Sequence, residues 1–127
     1  MSAGEVTSVL AALATIAGTC VATIAVELTL AVLLFGVRNR DQAIVVALAQ
    51  VATNPVVEFG CLMLAWSPTD PLASPSWAGI LALEVAAIVV EVCLYRVSDT
   101  FERPWLASIV LNLASFGLGC VVGLVVA

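Results

Sequence analysis

The 127-residue chain contains no histidine and no lysine, and only 10% of its residues are charged. The absence of histidine excludes imidazole acid–base catalysis, Ser-His-Asp hydrolysis and histidine-ligated zinc. Without lysine, the basic side chains are four arginines, Arg38, Arg40, Arg96 and Arg103. None of these lies inside a long apolar segment, so no basic side chain is available there to pair with an acid.

Hydrophobic residues make up 63% of the chain, and the mean hydropathy of +1.20 is far above that of soluble domains. We therefore expect an integral membrane protein of the plasma membrane, built as one domain over residues 1–127. The formal charge of −5 says little about partners, because four of the nine acids lie within apolar segments. We expect the lipid bilayer, and no nucleic acid, as a partner.

Hydropathy predicts an all-α protein with four transmembrane helices, since a bilayer core needs ~20 helical residues. The predicted spans lie within 5–37, at about 41–66, at 77–95 and at 104–127. Polar turns follow the first and third spans, and a Pro-rich outer loop, 67–76, joins the second to the third. Asn39 or Asp41 is predicted to cap the second helix, and Pro104 suits the first position of the fourth.

The arginines also predict an orientation. All four lie in the turns after the first and third spans, which share one side of a four-span bundle. Because cytoplasmic loops are enriched in Lys and Arg, both termini are expected outside.

The chain carries a pattern typical of an internal duplication, with halves at about 5–66 and 77–127. Glu27 and Glu84 are each followed by an arginine after eleven or twelve positions, and then by Asn54 and Asn112 sixteen positions later. Two tandem hairpins of the same orientation would be related by a pseudo-twofold axis along the membrane normal. The alternative is chance similarity between apolar segments.

Four carboxylates, Glu27, Glu58, Glu84 and Glu91, lie inside the apolar segments. Each costs roughly 3 kcal/mol at bilayer depth, whereas a polar contact between membrane helices returns only about 0.6 kcal/mol on average. This imbalance favours a functional site for a proton or a cation over a purely structural role.

Helical spacing gathers the polar residues into one stripe on each helix. The stripes are Thr15, Thr19, Thr23 and Glu27; Gln50, Asn54 and Glu58; Glu84, Glu91 and Tyr95; and Ser108, Asn112 and Ser115. Counting ~1.5 Å per residue from the arginines puts Glu27 and Glu84 near the midplane, Glu58 toward the outer side and Glu91 toward the inner side.

We therefore predict a cation- or proton-binding site with no catalytic residues. Glu27 and Glu84 would be its central ligands or proton carriers, Asn54 and Asn112 its neutral ligands, and Glu58 and Glu91 its access groups. The secondary polar lining would be Gln50, Thr23, Ser115 and Tyr95. Pro55 would either break the second helix and free the Val51 carbonyl, or merely kink it. No cofactor is predicted apart from a possible bound cation, and proton exchange and divalent-cation binding both stay open.

Two other classes of function remain. The protein could be a non-transporting structural or assembly subunit of a larger membrane complex, or, less favoured, an intramembrane enzyme with Glu as acid or base. A homo-oligomer or a partner membrane subunit is expected. Cys20, Cys61 and Cys120 fall at one level, where a disulfide or a thiolate metal site competes with simple burial.

The orientation is testable by labelling single cysteines on a Cys-free background. A cysteine at Ser74 should react with an impermeant maleimide in intact cells, and one at Ser98 only after permeabilisation. Reaction at both positions from outside would contradict the predicted orientation.

Overall fold

The computed structural model describes residues 2–65 and 76–126, which form four α-helices. They are α1 (Ala3–Phe35), α2 (Arg40–Ala65), α3 (Trp77–Val97) and α4 (Pro104–Val126). All four are long and apolar enough to cross a membrane. The prediction of an all-α protein with four helices long and apolar enough to span a membrane is confirmed, while the orientation and the pseudo-twofold axis stay predictions. The outer loop 67–76, apart from Ser76, lies outside the described residues.

Local sequence signals set the helix ends. Gly36 ends α1 in the left-handed conformation, with φ of 68°, which glycine adopts without a Cβ penalty. The Asn39 Oδ1 accepts a hydrogen bond of 2.7 Å from the Gln42 N–H, so Asn39 rather than Asp41 caps α2. Pro104 is the first residue of α4, as predicted. The short turn between α1 and α2 makes these helices antiparallel neighbours.

The helices form a ring in which α1 and α3 each pack against both α2 and α4. The connections at 36–39 and 98–103 lie together at one end of the ring. There, Gln42 Nε2 donates to the Thr100 carbonyl over 3.2 Å, and the rings of Phe35 and Phe101 are 5.5 Å apart. We call this the turn end, and the opposite end, where α1 begins and α4 finishes, the terminal end.

An apolar core closes the turn end. Its buried members are Ala31, Val37, Val46, Ala49, Tyr95, Phe101, Ala107 and Leu111. The rings of Tyr95 and Phe101 pack edge to face with centroids 4.8 Å apart, a favourable aromatic geometry. Large apolar side chains such as Val21 and Leu33 are exposed on the outside of the ring, which fits contact with lipid.

Two helices have unusual features: α1 is longer than one membrane crossing needs, and α2 contains a proline. The 33 residues of α1 span ~50 Å, well beyond a bilayer core of about 30 Å, and the side chains of residues 4–15 are exposed. The excess length fits a helix that tilts in the bilayer or begins in its interface. α2 continues through Pro55, so the helix is not broken there.

Candidate functional site

A buried polar layer lies next to the apolar core, on its terminal side, and all four helices contribute to it. Its members are Glu27 on α1, Gln50 and Thr53 on α2, Glu91 on α3, and Ser108, Asn112 and Ser115 on α4. We call these seven residues the carboxylate layer. Glu27 and Glu91 are both 0% exposed, so each acid depends on protein groups rather than water for its hydrogen bonds.

Gln50 joins the two acids. Its Nε2 donates to Glu27 Oε2 and also to Glu91 Oε1, the latter over 3.0 Å. A primary amide has two N–H hydrogens, so both are used. Because α1 and α3 face each other diagonally across the ring, this one amide of α2 connects helices that do not otherwise pack together.

The two acids differ in how many donors they hold. Besides Gln50, Glu91 accepts hydrogen bonds from Thr53 Oγ1 at 3.1 Å, Ser108 Oγ at 2.9 Å and Asn112 Nδ2 at 2.5 Å. Among the described residues, Glu27 accepts only from Gln50 and from Ser115 Oγ, the latter at 2.9 Å. Donors stabilise a carboxylate anion, so the layer stabilises negative charge on Glu91 better than on Glu27.

The central pair differs from the one predicted from the sequence. Gln50 connects Glu27 with Glu91, whereas Glu84, the predicted partner of Glu27, is half-buried nearer the terminal end. Among the described residues, no side chain donates a hydrogen bond to Glu84 or to Glu58. The assignment of roles to these acids stays a prediction.

The predicted pair differs from the observed one because the depth of each acid is counted from the arginine that follows it in the sequence. Arg96 lies inside the last turn of α3, while Arg38 lies beyond the end of α1 at Phe35, so the two arginines are not at the same depth. Measured from the helix ends, Glu27 is eight positions before Phe35 and Glu91 is six before Val97. Two positions correspond to ~3 Å, which glutamate and glutamine side chains readily span.

A cavity of about 650 Å³ lies on the terminal side of the carboxylate layer, and we call it the terminal cavity. Gln50, Thr53, Asn112 and Ser115 form its floor. The predicted residues Thr23, Asn54, Glu58 and Glu84 line its walls. At the rim, Phe116, Gly119 and Cys120 of α4 are exposed, so the cavity opens to the outside of the bundle beside α4.

Two fully buried side-chain polar atoms have no hydrogen-bond partner among the described residues. One is Nδ2 of Asn54, on the wall of the terminal cavity, and the other is the hydroxyl of Tyr95. Tyr95 is fully buried in the apolar core, four positions after Glu91 and therefore one helical turn closer to the turn end. Buried donors are rarely left unpaired, so Asn54 and Tyr95 are further candidate functional residues.

Sequence reasoning does not single out Thr53, and it places Ser108 on a polar stripe without naming it as a site residue. The available signal for Thr53 is its position three residues after Gln50, on the same face of α2. All four cysteines are free thiols. In residues 2–65 and 76–126, no three His, Cys, Asp or Glu side chains are grouped so that they could hold a metal ion.

The donors around Glu91 predict a large effect of removing its carboxylate. Glu91→Leu leaves one N–H of Gln50 and one of Asn112 without an acceptor, at about 1–3 kcal/mol for each buried unsatisfied group. Thr53 and Ser108 can still donate to the Ala49 and Ile88 carbonyls. We therefore expect the free energy of unfolding in mixed micelles to fall by at least about 2 kcal/mol, and Glu91→Gln, which keeps one acceptor oxygen, to lose less. Glu84→Leu is the matched control and should not lower stability, because it breaks no hydrogen bond among the described residues. Equal losses at the two positions would contradict the hydrogen-bonding scheme.

No protein-family model, curated protein or solved structure matches this chain, so its function has to be inferred from the carboxylate layer and the terminal cavity.

Proposed function

We propose that the protein binds a proton at the carboxylate layer and carries it across the membrane. The observation that carries this proposal is the meeting of Glu27 and Glu91 across the amide of Gln50, in a layer without a basic side chain. The four apolar helices and the burial of both acids support placing this pair within the membrane.

Charge balance is the first step of the argument. Two unit charges a few ångströms apart repel by about 4 kcal/mol at an effective dielectric constant of 20, and by more in a drier interior. Neither an arginine nor a lysine offsets this repulsion in the carboxylate layer. The pair is therefore expected to hold a shared proton or a bound cation whenever the bundle is folded.

A proton suits the layer better than a metal ion. Gln50 and Asn112 direct N–H groups toward the acids. The hydroxyl groups of Thr53, Ser108 and Ser115 also lie within hydrogen-bond distance of the acids. A hard metal cation would need oxygen lone pairs facing a common centre. Donors that converge on carboxylate oxygens instead favour one anionic and one protonated acid.

The unequal hydrogen bonding suggests separate roles for the two acids. Glu91, with four donors, would be the fixed anion, and Glu27, with two, would take up and release the proton. Protons would reach Glu27 from the terminal cavity, where Glu58, Glu84 and Asn54 are the access groups. On the other side, the Tyr95 hydroxyl is the next polar group toward the turn end.

The competing function is a non-transporting subunit whose polar layer fixes helix register within a larger complex. The observation that favours it is the dense hydrogen bonding of Glu91, because buried polar networks can specify a single packing arrangement. Under this alternative the same residues stabilise the bundle and nothing crosses it. A homo-oligomer or a partner subunit stays part of the proposal in either case.

Proton flux into liposomes separates these functions. Under a pH gradient with valinomycin and K⁺ to balance charge, the wild-type protein should acidify or alkalinise the lumen faster than empty liposomes. Glu27→Gln keeps the shape but cannot exchange a proton, so its flux should fall to the empty-liposome level. Glu102→Gln, at an exposed position in a turn, removes the same charge and should leave flux within twofold of wild type. Absence of flux in the wild-type protein would replace the transport proposal with the subunit alternative.

A second measurement tests the path toward the turn end. Tyr95→Phe removes a hydroxyl that has no partner among the described residues and keeps the ring that packs on Phe101, so stability should not fall. If that hydroxyl relays the proton, flux should fall at least tenfold. Unchanged flux would show that the proton leaves the carboxylate layer by another route.

A further inference from the structure

We propose that the terminal cavity binds an organic monocation with an apolar body. This inference goes beyond the proton site, because it assigns a ligand to the space above the carboxylate layer and would hold even if no proton were carried. Its support comes from the size of the cavity, its lining, its charge and its opening.

The cavity is much larger than a proton or metal site requires. Its volume of about 650 Å³ falls within the roughly 300–1,000 Å³ typical of small-molecule pockets, whereas a water molecule occupies only about 30 Å³. The carboxylate layer forms the floor and is already occupied by its own hydrogen bonds. The remaining space therefore fits a molecule of several rings or alkyl groups.

The walls select for an apolar body. Val26, Val57, Ile80 and Leu118 line the cavity together with the ring of Phe116. Apolar walls favour hydrocarbon over a hydrated ion, because such an ion would lose its water shell without gaining ligands. An aromatic ring at the rim also suits a diffuse positive charge, through its negative face.

The charged groups of the lining are of one sign. Glu58 and Glu84 lie on the walls, and no arginine lines the cavity. Among the described residues neither acid receives a hydrogen bond from another side chain, in contrast to Glu27 and Glu91 beneath them. The two acids therefore make no hydrogen bond that links helices among the described residues, and a cation would complement their charge.

The opening suits a ligand that partitions into lipid. The exposed rim residues Phe116 and Cys120 lie on α4, so the cavity is reached from the side of the bundle. A lipophilic cation concentrates in the interfacial region of a bilayer and could enter there. A strongly hydrated inorganic ion gains nothing from such a route.

The test uses two probes of the same shape and opposite charge, tetraphenylphosphonium and tetraphenylborate. Binding to the purified full-length protein in nonionic micelles is measured by isothermal titration calorimetry, with empty micelles subtracted. We expect saturable binding of tetraphenylphosphonium with one site per chain, and no saturable binding of tetraphenylborate. Equal binding of both probes would overturn the proposal, since it would show a cavity that accepts apolar molecules, such as lipid chains, regardless of charge.

Variants locate the site. Glu58→Gln and Glu84→Gln should each weaken tetraphenylphosphonium binding at least tenfold, and the double variant should abolish it. Glu84→Asp retains the charge and should stay within a few-fold of wild type, which separates charge loss from misfolding. Glu102→Gln is the control for an acid outside the cavity. Unchanged binding in the folded double variant would overturn the assignment.

Failure here is distinguishable from failure of the proton proposal. The binding assay needs neither Glu27 nor a gradient, and the flux assay contains no organic cation. Proton flux without cation binding would support the proposed function and contradict this inference. Cation binding without proton flux would support this inference and contradict the proposed function.

Discussion

The structure depends on one constraint: the acids buried among apolar helices have no basic side chain to pair with, so their charge has to be matched by donors from neighbouring helices. Glu91 on α3 draws these donors from α2 and α4, and Glu27 on α1 draws them from the same two helices. Gln50 serves both acids. The carboxylate layer therefore ties the ring together across its diagonal, where the helices do not touch directly. A shift of one helix along its axis would leave several donors and an acid unsatisfied at once.

This constraint divides the bundle into two unlike halves. Toward the turn end, small and aromatic side chains pack closely, and the rings of Tyr95, Phe101 and Phe35 fill the space between the connections. Toward the terminal end, the helices enclose a cavity of about 650 Å³ with acids on its walls. The carboxylate layer thus borders a closed side and an open side. The rings of Tyr95, Phe101 and Phe35 separate the carboxylate layer from the turn end. In the proposed mechanism, a proton that crosses the layer therefore requires a conformational change of these rings.

The ends of each helix and the face that it turns inward are predicted well from the sequence, because both depend on residues close together in the chain. The caps at Asn39 and Gly36 and the first position at Pro104 are decided by neighbouring residues, and spacing of three or four along a helix brings Gln50 to the inner face. The axial offset between helices is different, since it depends on connection geometry that periodicity does not contain. That is why Glu91 lies level with Glu27 although counting from the arginines separates them. Thr53 is missed because threonine is common on apolar faces and is recognised as a donor only once Glu91 is opposite it.

Glu58 and Glu84 discriminate most sharply between a structural and a functional interpretation. A bundle that needed only a polar layer for register would be served by Glu27, Glu91 and their donors, which already connect all four helices. Replacing the cavity acids with leucine would remove an insertion cost of a few kcal/mol for each side chain and would break no hydrogen bond among the described residues. Since neither acid makes a hydrogen bond among the described residues, we propose that a positively charged species that visits the cavity offsets their cost. A proton on its way to Glu27 is the smallest such species, and the volume and apolar walls of the cavity provide room for a larger one.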